Sequence, residues 1–255
     1  MKPNFKKLLL IAATATATLV SSNALAASDT FATFHEATAV KGFNFSNNGA
    51  IATFSATNDN IFFDFTGISG LAAALTGDQA AKLTMSSTTT APVTLFGGFF
   101  DVQSLNKSST ISIIRNTKFA AINGNFYDNL LTITFNAASI GYASLFGVSG
   151  ANSLAFSASN GSVTFTSDFL NFSQSSTNDL GLALTGLSNA VGITGSFLSP
   201  FLADATGTFS SDPGATAILA HTTAPVPEPE TYAMMLAGLA LVGFVSRRKI
   251  SKKTV

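Results

Sequence analysis

Leu131-Thr132-Ile133-Thr134-Phe135 places a large apolar residue at every second position and threonine between them. Successive side chains of an extended chain point to opposite faces, so this stretch reads as a half-buried β-strand with one apolar and one hydroxylated face. The same period governs Ala50-Ile51-Ala52-Thr53-Phe54-Ser55-Ala56 and Ser162-Val163-Thr164-Phe165-Thr166. Asn60 to Thr66 and Pro92 to Val102 are richer in phenylalanine and predict strands buried on both faces. Turn chemistry separates these runs at Asn47-Asn48-Gly49, Asn123-Gly124-Asn125, Ser159-Asn160-Gly161 and Ser211-Asp212-Pro213-Gly214. Strands spaced in this way, with almost no helical patterning, predict an all-β fold, an antiparallel β-sandwich or jelly roll.

Only Gly70 to Leu75 reads as a short helix. Its likeness to the segment Asp179 to Leu187 falls in a chain rich in Ala, Gly, Leu and Thr and predicts no repeat, so residues 27–220 are expected to form one domain. The 24 phenylalanines supply the large apolar surface for its core, while tryptophan and cysteine are absent. Without cysteine there is no disulfide framework, no thiolate nucleophile and no thiolate metal site. A domain of roughly 200 residues buries enough surface to fold without such staples.

The two ends follow different rules. Lys2, Lys6 and Lys7 precede a mostly apolar stretch from Leu8 to Val20, and Ala24-Leu25-Ala26 offers small residues at Ala24 and Ala26, the two positions that a signal peptidase reads. Residues 1–26 therefore read as a secretory signal peptide, cut after Ala26. At the other end, residues 221–230 form a proline-rich linker, in which alternate prolines fix φ, remove donors and favour an extended, solvated backbone.

Tyr232 to Val245 follows without a charge and, as a helix, covers only roughly 21 Å of a hydrocarbon core about 30 Å thick. With Thr231 and Ser246 drawn in and the basic stems snorkelling, residues 231–246 predict a short transmembrane helix. Arg247, Arg248 and Lys249 open a basic tail, residues 247–255, that the positive-inside rule holds in the cytoplasm.

The order Pro227-Glu228-Pro229, short apolar helix, arginine cluster resembles the PEP-CTERM sorting signal of exported proteins in Gram-negative bacteria that make extracellular polysaccharide. The resemblance covers Val226 to Lys249. It implies that exosortase, an integral-membrane cysteine protease, recognises Pro227, Glu228 and Pro229, cuts near them and removes the helix, with Arg247 to Lys249 as the cytoplasmic stop. The protein would then be anchored transiently in the inner membrane before reaching the cell surface or the medium.

Removing both ends alters the charge balance. Three of the thirteen Lys and Arg residues lie in the signal peptide and five beyond the helix, leaving five; the thirteen acids lose Glu228 and Glu230, leaving eleven, so the mature region carries a net charge of −6. An acidic surface without a basic cluster argues against nucleic acid as a partner.

Signals of catalysis are few. His35 and His221 stand far apart, and His35-Glu36 would project from opposite faces of a strand. No metalloprotease, nucleophile-elbow or phosphate-loop motif occurs. Asp64, Asp101, Asp128 and Asp168 are the aspartates that could converge as paired carboxylates, though isolated aspartates more often bond backbone. Asn58-Asp59-Asn60 and Asn125 to Asn129 are oxygen-rich but lack a calcium-loop ladder and read as turns, and Ser86 to Thr90 reads as a solvated loop. The sequence thus predicts no catalytic residue, no cofactor and no enzyme.

Two functions fit: an exosortase-processed surface or matrix protein with a structural or adhesive role in a biofilm exopolysaccharide, or a carbohydrate- or ice-binding module. The absence of tryptophan weakens sugar stacking. No threonine period along the chain marks an ice-binding face.

Overall fold

The computed structural model describes residues 28–120, 124–135, 143–159 and 163–218. The signal peptide, the proline-rich linker, the apolar run 231–246 and the basic tail lie outside the described residues, as does His221.

The described chain is built from strands: β1 (Asp29–Glu36), β2 (Phe43–Asn47), β3 (Ala52–Phe65), β4 (Gln79–Thr89), β5 (Thr94–Phe96), β6 (Phe100–Ser104), β7 (Ser109–Ala120), β8 (Phe126–Phe135), β9 (Ala143–Val148), β10 (Leu154–Ala158), β11 (Val163–Thr166), β12 (Leu170–Asn171), β13 (Thr177–Thr185), β14 (Ile193–Thr194), β15 (Phe197–Leu198), β16 (Phe201–Asp212) and β17 (Thr216–Ala217). Between β3 and β4 the expected helix shrinks to one 3-10 turn, Ala73–Leu75, whereas the similar segment near Asp179 is the strand β13. The two similar sequences thus take different structures, because β13 is claimed on both sides by neighbours.

The antiparallel all-β expectation holds. Instead of two separate sheets, thirteen strands form one, in the order β11-β8-β7-β4-β3-β1-β16-β13-β10-β9-β6-β5, with β2 also between β3 and β16. β1 and β2 share one slot: β1 pairs with the C-terminal half of β3 and β2 with its N-terminal half, and both pair with β16. The long strands β3 and β16 therefore run unbroken past the interruption and join two limbs of the sheet.

The limbs face each other across a phenylalanine core. Phe156 on β10 meets Phe54 on β3 and Phe135 on β8, each at 5.8 Å between ring centroids. Phe165 on β11 meets Phe31 at 5.2 Å and Phe209 at 6.4 Å. Tilted and edge-on packing at such distances suits the aromatic quadrupole. The free edge at β11 is tied back by the Asn178 side-chain amide, which donates to Val163 O at 3.0 Å. Strand alternation directs these rings inward: β4 reads buried-exposed in strict succession from Gln79 to Ser87.

Several local expectations change. Ala50–Ala56 and Asn60–Thr66 belong largely to the single strand β3, whose register on β4 shifts between Ala56 and Asp59, with Asn58 in that bulge at φ 50° and Asp59 and Asn60 back in the ladder. Asn58 tolerates that backbone and is held by Thr84, which bonds both its N–H and its Oδ1 at 3.3 Å. Ser86 to Thr89 continue β4, with Ser87 and Thr89 buried, so no loop is present there. Ser211 and Asp212 end β16 before any turn, and Thr216–Ala217 return to pair with β12. Pro92 to Val102 forms a hairpin at the sheet edge, with Leu95, Phe96 and Phe99 exposed, because among the described residues β5 has no strand partner beyond β6. The turn at Asn48 forms as expected: its side chain accepts the N–H groups of Ala50 and Ile51, and Gly49 takes φ 85°.

Candidate functional site

The four aspartates that could have converged do not form one group. Asp64 lies on β3, and Asp101 is buried on β6, where it accepts the Ser149 hydroxyl at 2.7 Å. Asp168 and Asp128 do meet, but Asp168 Oδ2 accepts the backbone N–H groups of Asp128 and Asn129 at 3.1 and 2.9 Å, while Asp128 pairs with Lys118 at 3.6 Å. That is backbone capping and a surface ion pair. His35 is exposed and stacks loosely on Phe62.

A different group of acids does come together where β1 stops. Glu36 Oε1 accepts the Ala205 N–H at 2.8 Å, replacing the strand bond that the break between β1 and β2 leaves unmade. Asp204 Oδ1 accepts the Lys41 N–H at 2.7 Å, and Gly42 packs so closely on Asp59 that a Cβ there would overlap the carboxylate. Asp59 and Asp204 are close enough to Glu36 to act on its carboxyl.

Burial, reinforced by the Asp59 charge, pushes Glu36 up to about 7, and burial raises Asp59 as well. Glu36 Oε2 and Asp59 Oδ2 are both buried without a hydrogen-bond partner, in keeping with the raised proton affinity of this pair. No group of acids or histidines among the described residues is arranged to hold a metal ion. The triad is a plug that closes a gap in the sheet. Sequence reasoning missed it because Glu36 and Asp204 are remote in the chain; the one available signal is Phe34-x-Glu36, which puts a carboxyl in phase with an inward ring.

The second arrangement is a face. Over part of β11, β8, β7, β4 and β3 the outward residues are hydroxyls brought into register: Thr164 opposes Thr134, Thr134 opposes Thr110, Thr110 opposes Ser86 and Ser86 opposes Ser55. A parallel row runs Thr166, Thr132, Ser112, Thr84. Spacing is about 4.8 Å from strand to strand and roughly 6.7 Å between successive outward positions on one strand.

The protein uses some of these groups itself: Thr84 donates to Asn58, Thr132 to Asn129 Oδ1 at 2.9 Å and Thr164 to Thr134 O at 3.4 Å. Among the described residues, the hydroxyls of Ser55, Ser86, Thr110 and Thr134 have no intramolecular bond, and the last three are exposed. Neither row contains a charge; Lys82, the next outward residue on β4, is tied to Asn60 Oδ1 at 3.1 Å. A shallow groove of about 460 Å³ lies over Thr84, Ser86, Thr110, Ser112 and Thr134. The rows have no period along the chain because they are assembled across strands, which is why the sequence hides them.

A hollow of about 410 Å³ on the other limb is walled by Phe146, Ala155, Gly181, Ala183, Thr206 and Thr208 and contains no titratable group.

Residues 225–249 match the PEP-CTERM protein-sorting motif. The match includes Pro227, Glu228, Pro229 and the Arg247-Arg248-Lys249 cluster, and the motif implies export and processing by exosortase. No curated protein and no solved structure matches the chain.

Proposed function

We propose that this chain is a non-enzymatic protein of the cell surface or extracellular matrix, with a structural or adhesive role in a biofilm exopolysaccharide. It is exported with the help of the signal peptide 1–26, held transiently by the apolar helix 231–246 and released from it by exosortase. The observation that carries the reading is the sorting motif at 225–249, following an all-β unit. A short helix suits this role, since it has only to hold a substrate in place for a membrane protease. The extended Pro227-Glu228-Pro229 backbone suits a protease cleft. An acidic domain cored by phenylalanine, whose described aspartates Asp101 and Asp168 are occupied by a hydroxyl and by backbone N–H groups, suits a structural part.

The test is mass spectrometry of the native protein from cell and medium fractions. The expected mature form begins at Ala27 and ends near Pro227; Lys249 retained on most of the mature protein would overturn the processing step. The register-aligned hydroxyls favour the ligand-binding alternative as a component of the adhesive role, because an adhesive protein needs a surface that recognises the matrix.

A further inference from the structure

We propose that the hydroxyl face of β11, β8, β7, β4 and β3 is a docking surface for a neutral, linear polysaccharide lying across the strands. This rests on the exported, matrix-facing reading above and assigns it a site. Three properties of the face select the partner. First, Ser86, Thr110 and Thr134 are exposed and their hydroxyls make no bond within the protein, and each hydroxyl both donates and accepts, as the hydroxyls of a sugar do. Second, neither row carries a charge, so nothing on it compensates an anionic or cationic polymer.

Third, the rows twist. Adjacent strands turn by about 20–25°, so a row crossing from β11 to β3 rotates through roughly 80–100°. A flexible polymer follows such a path, whereas a flat crystal surface such as ice meets only part of it. The strand spacing of about 4.8 Å is comparable with the advance of one sugar along an extended glycan, which lets successive sugars meet successive strands. The groove over Ser86 and Thr110 supplies a shallow channel for the chain.

No aromatic ring stands in the rows to stack a pyranose, so each sugar is held weakly and retention comes from many contacts at once. The surface therefore holds long polymers and ignores short oligosaccharides, which suits a matrix component.

The full processed protein, purified from medium, is run by affinity electrophoresis in gels containing hydroxyethylcellulose, alginate or no polymer. The expected result is retardation in hydroxyethylcellulose alone, unaffected by added cellotetraose. A triple variant, Ser86→Ala, Thr110→Val and Thr134→Val, should bind about tenfold or more weakly. A control, Thr206→Val with Thr208→Val on β16, should migrate as wild type, and far-UV circular dichroism should report all variants folded.

Equal retardation of wild type and triple variant, or an equal loss in the control, overturns the assignment. So does retardation in alginate alone, or inhibition of ice recrystallisation that the triple variant abolishes. The termini of the same sample are read by mass spectrometry, so a failure of processing and a failure of glycan docking are seen separately.

Discussion

Glu36 shows how one side chain ties sheet geometry to pH. Its carboxyl stands in for a missing strand by accepting the Ala205 N–H, and burial with the neighbouring Asp59 raises it from 4.5 to about 7. Because the folded state holds the proton more tightly than the unfolded chain, the associated stability is complete below pH 4.5 and is lost as pH rises through 7. The expected loss is about 1–2 kcal/mol, since water screens the exposed part of the group. Thermal melts across this range should show the decline, and Glu36→Gln should flatten it; a wild-type melting temperature constant with pH would exclude a proton in the triad. Gly207 is a second decisive residue, because a Cβ there would overlap the Phe34 ring. Gly207→Ala is expected to cost about 1–3 kcal/mol by urea denaturation, with unchanged stability as the contrary outcome. At this scale the sequence was legible where chemistry is local, as with Asn48 closing its own turn. The Glu36, Asp59 and Asp204 cluster was not, because it is made by strands distant in sequence.

Elements were legible by period and misread by context. Leu131–Phe135 and Val163–Thr166 are strands because alternation alone gives each a face to bury. The phenylalanines of Pro92–Val102 gave the same apolar signal, yet β5 is a three-residue edge strand with Phe96 72% exposed. An apolar edge of this kind is a liability for association. Replacing Phe96 and Phe99 with serine is expected to change stability by no more than about 0.5 kcal/mol while lowering concentration-dependent light scattering. Scattering that stays the same would place self-association elsewhere. The Ser/Thr run at Ser86 is polar enough in composition to read as a loop, but it alternates as a strand does: Ser87 and Thr89 are turned inward, and Thr89 donates to Ser104 O at 2.6 Å.

On the scale of the whole molecule, β3 and β16 make one sheet out of two limbs, and Phe156 spans the interior to Phe54 and Phe135. The limbs are therefore expected to unfold together. Phe156→Ala should cost about 3–5 kcal/mol and leave a single transition, seen alike by far-UV circular dichroism and tyrosine fluorescence; two separated transitions would show the limbs to be independent. The sequence by itself determined the strand class, the apolar and hydroxylated faces of strands such as Leu131–Phe135 and Val163–Thr166, and the sorting motif, because alternation and linear motifs are properties of neighbouring residues. Only the tertiary structure decided that the limbs are one sheet, that three distant carboxyls share a gap and that scattered threonines and serines align in rows. Those features depend on which strands pair and in what register, and pairing is set by the burial of rings from remote parts of the chain.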